Sequence, residues 1–157
     1  LSKTIFSTRD LLTLLNSEIC ETASKGMFVT MMIGVYDSKK KEILLSNAGH
    51  EPPLILTNDG KFTNFTDSGP PLGIQKKIVY EEKILTFSAS SLYIFTDGIT
   101  EIKDTSGHML GADGFKSFIK KHQKITNDLR LKNIIDDIIS SGKIQRDDLT
   151  ILVVDGK

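Results

Sequence analysis

Two stretches of the chain put acids where chemistry could use them. In Ser91-Leu92-Tyr93-Ile94-Phe95-Thr96-Asp97-Gly98, the apolar run from Leu92 to Phe95 reads as a buried strand, and the Asp97-Gly98 pair forces the chain out of it. Near the C-terminus the order is reversed. Arg146-Asp147-Asp148 leads into Leu149-Thr150-Ile151-Leu152-Val153-Val154, so carboxylates stand where a second buried strand begins. If these strands lie side by side and antiparallel, Asp97 and Asp147 meet at one sheet edge. Two ionised carboxylates held that close repel unless a cation sits between them, and an all-oxygen site suits a hard divalent ion, Mg²⁺ or Mn²⁺. Asp-Gly and Asp-Asp are also ordinary turn and strand-end dipeptides, so the acids alone leave both readings open.

Other reactive side chains carry less. Asn47-Ala48-Gly49-His50 reads as a turn with a small residue where backbones approach, and His50 there is more often hydrogen-bonded structure than ligand or base. Cys20 has no identifiable base and reads as a small core residue. As a lone cysteine it cannot form an internal disulfide, which fits a reducing, cytoplasmic compartment.

The elements that must position these groups follow from periodicity. Thr8 to Ser24 is predicted as a helix with Leu11, Leu12, Leu15 and Ile19 inward, Leu14 widening the stripe, Ser7 and Asp10 capping the start and Gly26 ending it. Met27 to Tyr36 and Lys41 to Ser46 form a predicted hairpin. Pro53 to Thr57 and Lys61 to Phe65 form another around Asn58-Asp59-Gly60. Ser68 to Gly73 is too rich in Gly and Pro for regular structure, and Lys77 to Phe87 reads as a further strand. Beyond Asp97 come a polar loop from Ile102 to His108 and two helices. Ala112 to His122 turns Phe115, Phe118 and Ile119 inward; Thr126 to Ser141 turns Leu131, Ile134, Ile135 and Ile138 inward and ends at Gly142. Their charged remainder, including Lys120-Lys121-His122 and Asp136-Asp137, reads as a solvated face. One helix, about six hairpin-linked strands, two helices and a last strand make an α+β fold of antiparallel sheets flanked by helices.

The 157 residues fit a single domain with a real core. Lys plus Arg and Asp plus Glu balance at 20 each, and no basic stripe interleaved with aromatics offers a footprint for nucleic acid. No apolar stretch approaches membrane-spanning length. The start at Leu1 instead of Met is expected of a fragment or a trimmed chain.

Laid out in order, five separated motifs resemble the metal-dependent serine/threonine protein phosphatases of type 2C (PPM), in the bacterial branch typified by SpoIIE and RsbU. They are Met27-Phe28-Val29-Thr30; Asn47-Ala48-Gly49-His50 with Pro52-Pro53-Leu54; Gly69 with Pro71-Leu72-Gly73; Phe95 to Glu101 with Gly107 to Gly111; and Asp147-Asp148-Leu149-Thr150. The resemblance implies an αββα sandwich that hydrolyses phosphoserine or phosphothreonine esters with two Mn²⁺ or Mg²⁺ ions. Asp97 and Asp147 are then metal ligands, not nucleophiles. Asp148 lies behind them or faces solvent, Gly98 makes the turn, and Asn47 and His50 belong to a loop near the site. The family's turn before Thr-Asp-Gly is usually Gly-Asp, where this chain has Ala89-Ser90. The family's Gly-Asp-x-x-Asp strand and Gly-Asp-Val-x-Gly-x-Gly loop, expected ahead of the first helix, are not among these residues. The chain is therefore expected to hold half of the ligand set and to be weak or inactive alone. The resemblance further implies a phosphorylated anti-sigma factor antagonist as substrate, an upstream sensor domain, and a second copy of the chain (a homodimer) as a partner. A rival from another class is a non-catalytic domain of the same fold that binds a phosphoprotein without hydrolysing it.

Overall fold

Where apolar and polar residues alternate the chain forms strands, and where they recur every three or four residues it forms helices. The structure is a computed structural model that describes residues 7–24, 26–104, 106–141 and 148–156. In order its elements are α1 (Thr8–Thr22), β1 (Met31–Asp37), β2 (Glu42–Ala48), β3 (Leu54–Leu56), β4 (Phe62–Asn64), β5 (Lys83–Thr86), β6 (Ser91–Phe95), α2 (Asp97–Thr100), α3 (Gly111–His122), α4 (Asn127–Ser140) and β7 (Ile151–Asp155). All paired strands are antiparallel, in one sheet of order β1-β2-β5 and another of order β4-β3-β6-β7. No helix among the described residues is long and apolar enough to cross a membrane. By internal packing the chain forms two units, one with α1, β1, β2 and β5, the other with the remaining elements.

In the first unit the β1–β2 hairpin turns where expected, because the Asp37 carboxylate accepts the amides of Lys39 at 2.9 Å and Lys40 at 3.1 Å. Helix α1 begins at the expected cap, with Ser7 Oγ accepting the Asp10 amide. It ends earlier than predicted: Ala23 is the C-terminal cap, and Gly26, at φ +89°, lies beyond it. Its inner face also differs. Leu12 is buried, but Leu11 and Leu14 are 38% and 59% exposed, while Thr8 and Asn16 are buried instead. The reason is a pair of polar anchors. Asn16 Oδ1 accepts the Gly73 amide at 3.0 Å and its Nδ2 donates to the Gln75 carbonyl at 2.9 Å. Thr8 shares a hydrogen bond with Ser46 at 2.8 Å, and Glu82 accepts the Thr8 amide at 2.6 Å and the Thr8 hydroxyl at 2.8 Å.

That demand on Glu82 shortens β5, whose expected start is Lys77. Lys77 has φ +60°, Tyr80 is buried with its hydroxyl donating to the Pro70 carbonyl, and Glu82 turns to cap α1, so the ladder starts only at Lys83. Likewise Met27 to Thr30 does not extend β1. Val29 instead exchanges two backbone hydrogen bonds with Leu72 in an isolated bridge, at 3.0 and 2.8 Å.

Glu82 yields a pH prediction. Burial alone would push its carboxyl up, but hydrogen bonds from Thr8, Arg9 and Ser7 outweigh that and hold it below the ordinary glutamate range. A carboxyl depressed in the folded state adds stability above its unfolded pKa of about 4.3, and that stability is lost as pH falls through the folded value. Glu82→Gln is expected to cost about 1 kcal/mol at neutral pH, the size of a lost cap, and to flatten the acid limb of the stability curve. Urea melts from pH 7 to 3 check this; parallel curves for variant and parent would refute it.

In the second unit β6 lies between β3 and β7, and its buried Tyr93 and Phe95 join Leu54, Leu56, Ile99, Phe115, Ile119, Ile134 and Ile138 in one core. Phe95 meets Phe115 edge to face with centroids 4.9 Å apart. The β3–β4 hairpin closes on the expected turn, with Gly60 at φ +78° and the Thr57 amide donating to the Lys61 carbonyl. Helices α3 and α4 fall within a residue of their predicted starts; the expected stop at Gly142 lies outside the described residues. Their charged residues are not simply solvated. His122 is buried, with Nε2 2.6 Å from Asp137 Oδ2, and Lys121 Nζ donates to the same oxygen at 2.6 Å. Those bonds, Lys121's first, hold the Asp137 carboxyl below its usual range and tie α3 to α4.

Candidate functional site

The end of β6 is spliced to the segment leading into β7. Register places Phe95 opposite Ile151. One residue further, the Thr96 amide donates to the Thr150 carbonyl at 3.2 Å, while Thr96 Oγ1 accepts the Thr150 amide at 3.2 Å and donates to the Asp148 carbonyl at 3.3 Å. The strands that carry the two acid motifs therefore run side by side and antiparallel, the condition set for the two motifs to come together. Asp147 itself lies outside the described residues.

After Thr96 the corner is not a plain loop: residues Asp97 to Thr100 make one helical turn, which buries Ile99 in the core and leaves the Asp97 carboxylate exposed. Gly98 is required here for space. A Cβ on it would lie 2.4 Å from the Asp148 carbonyl oxygen, which is backbone. Asp97 Oδ1 accepts the Gly98 amide at 3.0 Å, and among the described residues the carboxylate has no ion-pair partner. It is a hard oxygen donor with lone pairs to spare. That donor chemistry fits Mg²⁺ or Mn²⁺ and not a soft metal. Among the described residues no three His, Cys, Asp or Glu side chains gather into a group that could hold a metal ion.

Asn47 and His50 lie in the other unit. Buried Asn47 brackets the loop, its Oδ1 accepting the His50 amide and its Nδ2 donating to the His50 carbonyl, both at 2.9 Å. Gly49, at φ +71°, lets Pro71 pack where a Cβ would lie 2.6 Å from the ring. Ala48 and Gly69 pair in a single bridge, so the Asn-Ala-Gly-His and Gly-Pro-Pro-Leu-Gly motifs interlock. His50 Nδ1 stands 3.5 Å from Thr30 Oγ1.

A protein-family model described as "Stage II sporulation protein E (SpoIIE)" matches residues 1–157. The chain belongs to the SpoIIE family. Among its curated relatives, the phosphoserine phosphatase RsbU of Bacillus subtilis is 27% identical over 143 residues, covering 89% of this chain and 42% of RsbU. Protein IcfG of Synechocystis is 28% identical over 142 residues, covering 85% of this chain and 22% of IcfG. The chain thus spans less than half the length of these relatives. Among solved structures, the SiaA-PP2C domain of Pseudomonas aeruginosa superposes with a TM-score of 0.80 at 14% identity, covering 96% of this chain and 61% of that one. The SpoIIE phosphatase domain of Bacillus subtilis does so with a TM-score of 0.69 at 17% identity, covering 98% and 67%. The fold is the α+β fold of PP2C phosphatase domains.

Proposed function

We propose that this SpoIIE-family chain carries the Asp97 and Asp147 half of a divalent-metal centre that hydrolyses phosphoserine or phosphothreonine esters on a regulatory protein. The observation that carries the reading is the splice at Thr96, Gly98 and Asp148, which brings the two acid motifs to neighbouring strand ends with Asp97 open to solvent. The Bacillus subtilis SpoIIE domain was solved after presoaking with Mn, and RsbX in complex with magnesium, which supports the choice of metal. Bound at such a site, divalent cations supply the Lewis acidity that attack on a phosphate ester needs. The chain's part is to hold Asp97 at a fixed corner, Thr96 joining the strands behind it and Gly98 leaving room. Similarity to a phosphoserine phosphatase, RsbU, supports a phosphoserine ester as the substrate, and the regulatory protein proposed to carry it is a phosphorylated antagonist of an anti-sigma factor.

With two acids as its share of the ligands, the 157-residue chain is expected to bind Mn²⁺ weakly and to turn over esters slowly by itself. In the full protein, Asp97→Asn is expected to lower Mn²⁺ affinity more than about tenfold and to reduce hydrolysis of a phosphoserine peptide with it. Calorimetric Mn²⁺ titration beside a phosphate-release assay reads both. Unchanged metal dependence with full turnover would overturn the proposal.

A further inference from the structure

Helix α3 carries a basic row that the proposed chemistry does not use. Lys116 and Lys120 are one turn apart, and both ammonium groups lie over the ring of Phe62 on β4, at 5.9 and 5.7 Å from its centroid. Lys124 follows, exposed, in the turn after the helix, where the β3–β4 turn comes close: a Cβ on Gly60 would lie 3.6 Å from Gln123 Oε1. Lys116 is paired with Asp113 and Lys121 with Asp137, but among the described residues Lys120 and Lys124 have no carboxylate at ion-pair distance. Cations in the last turn of a helix are favoured by its dipole, which accounts for part of the run Lys120-Lys121-His122. It does not account for Lys116 in mid-helix, for two ammonium groups gathered on one aromatic ring, or for Lys124 beyond the end.

We propose that this face, with Lys116 and Lys120 over Phe62 and Lys124 beyond the helix end, docks a short acidic segment of a protein partner. Charge complementarity selects the sign. Size selects the class: the four residues of helical rise between Lys116 and Lys120 span about 6 Å, which two extended residues of an acidic peptide match. A nucleic acid or an anionic membrane would draw on a broad positive field, and the formal net charge of this chain is zero. The surface lies apart in sequence from both acid motifs, and the proposal does not depend on hydrolysis.

The test is direct binding, read by fluorescence anisotropy at low salt with fluorescein-labelled deca-glutamate and deca-lysine peptides. The protein is expected to bind the glutamate peptide and not the lysine peptide. Lys120→Glu with Lys124→Glu should weaken the first about tenfold or more and confer binding of the second, with the melting temperature lowered by no more than a few degrees because both side chains are exposed. Lys120→Gln with Lys124→Gln should fall between, and keeps the test sharp should the charge reversal misfold. No affinity for the glutamate peptide, or affinity unchanged in both variants, would overturn the proposal. So would lysine-dependent binding of oligouridylate or phosphatidylserine vesicles without binding of the peptide.

Discussion

Replacing Arg130 by alanine is expected to remove about 3–5 kcal/mol of stability, a large fraction of what holds a domain of this size together. Arg130 projects from α4, is 5% exposed, and grips Asp155 at the end of β7 with Nη2 2.8 and 2.7 Å from its two carboxylate oxygens. Ser91 donates to the same carboxylate, and its register partner in the ladder is Asp155 itself. The guanidinium carbon lies 5.6 Å from the centroid of the fully buried Tyr93 ring, and burial pushes the Tyr93 phenol up. The pair therefore fixes α4 to β6 and β7 at the strand ends opposite the acid corner. Truncating Arg130 strands a largely buried carboxylate without its counter-charge, and that desolvation dominates the loss. Chemical melts should show the loss, and thermal melts a fall in Tm of about 10 °C or more. Arg130→Met combined with Asp155→Leu removes both charges and should recover most of the stability. A loss under about 1 kcal/mol for Arg130→Ala, or no recovery in the double variant, would show that the stranded charge is not what sets the cost.

Arg130 also shows where reading the sequence stops. Ile134 and Ile138 are legible as the inner face of α4, and Arg130 continues the same row four residues earlier. A cation on an apolar row signals a buried partner, but that partner is 25 residues away on a strand whose register no periodicity reveals. His122 repeats the lesson, closing the row Phe115, Ile119 and His122 on α3 with its acid on α4. Element order and both hairpins are legible, because alternation, turn dipeptides and caps are local; the pairing of the two acid-bearing strands is not local and enters the sequence reading only as a condition. Pattern fails where a polar contact overrides it. The apolar stripe of α1 holds at Leu12, Leu15 and Ile19 but fails at Leu11 and Leu14, where Thr8 and Asn16 instead meet the rest of their unit. The strand expected from Lys77 loses its first half because Glu82 is committed to the start of α1. At the candidate site the acid corner is legible, but the helical turn that carries Asp97 is not: four residues are too few to show a period.

Gly98 carries the second prediction, since its neighbour cannot yield. A side chain there meets the Asp148 carbonyl oxygen at 2.4 Å and its carbon at 3.3 Å, with Leu149 Cδ2 at 3.5 Å. A flexible side chain could rotate away, but this carbonyl accepts from the Thr96 hydroxyl, and Thr150, two residues on, is bonded twice to Thr96. Gly98→Val must therefore push the two strand ends apart. The cost in stability is that of overpacking, about 1–3 kcal/mol. The cost in turnover is larger, about a hundredfold for a displacement near 1 Å, because Asp148 is the residue next to the acid proposed to share a cation with Asp97. Phosphate release and Mn²⁺ titration should be run well below the variant's melting temperature, so that a folded protein is assayed. Added Mn²⁺ should fail to restore the rate, since the fault is in ligand spacing and not in occupancy. Full activity in folded Gly98→Val would mean that the two strand ends need not be held together for hydrolysis, and the centre would then have to be sought away from Asp97.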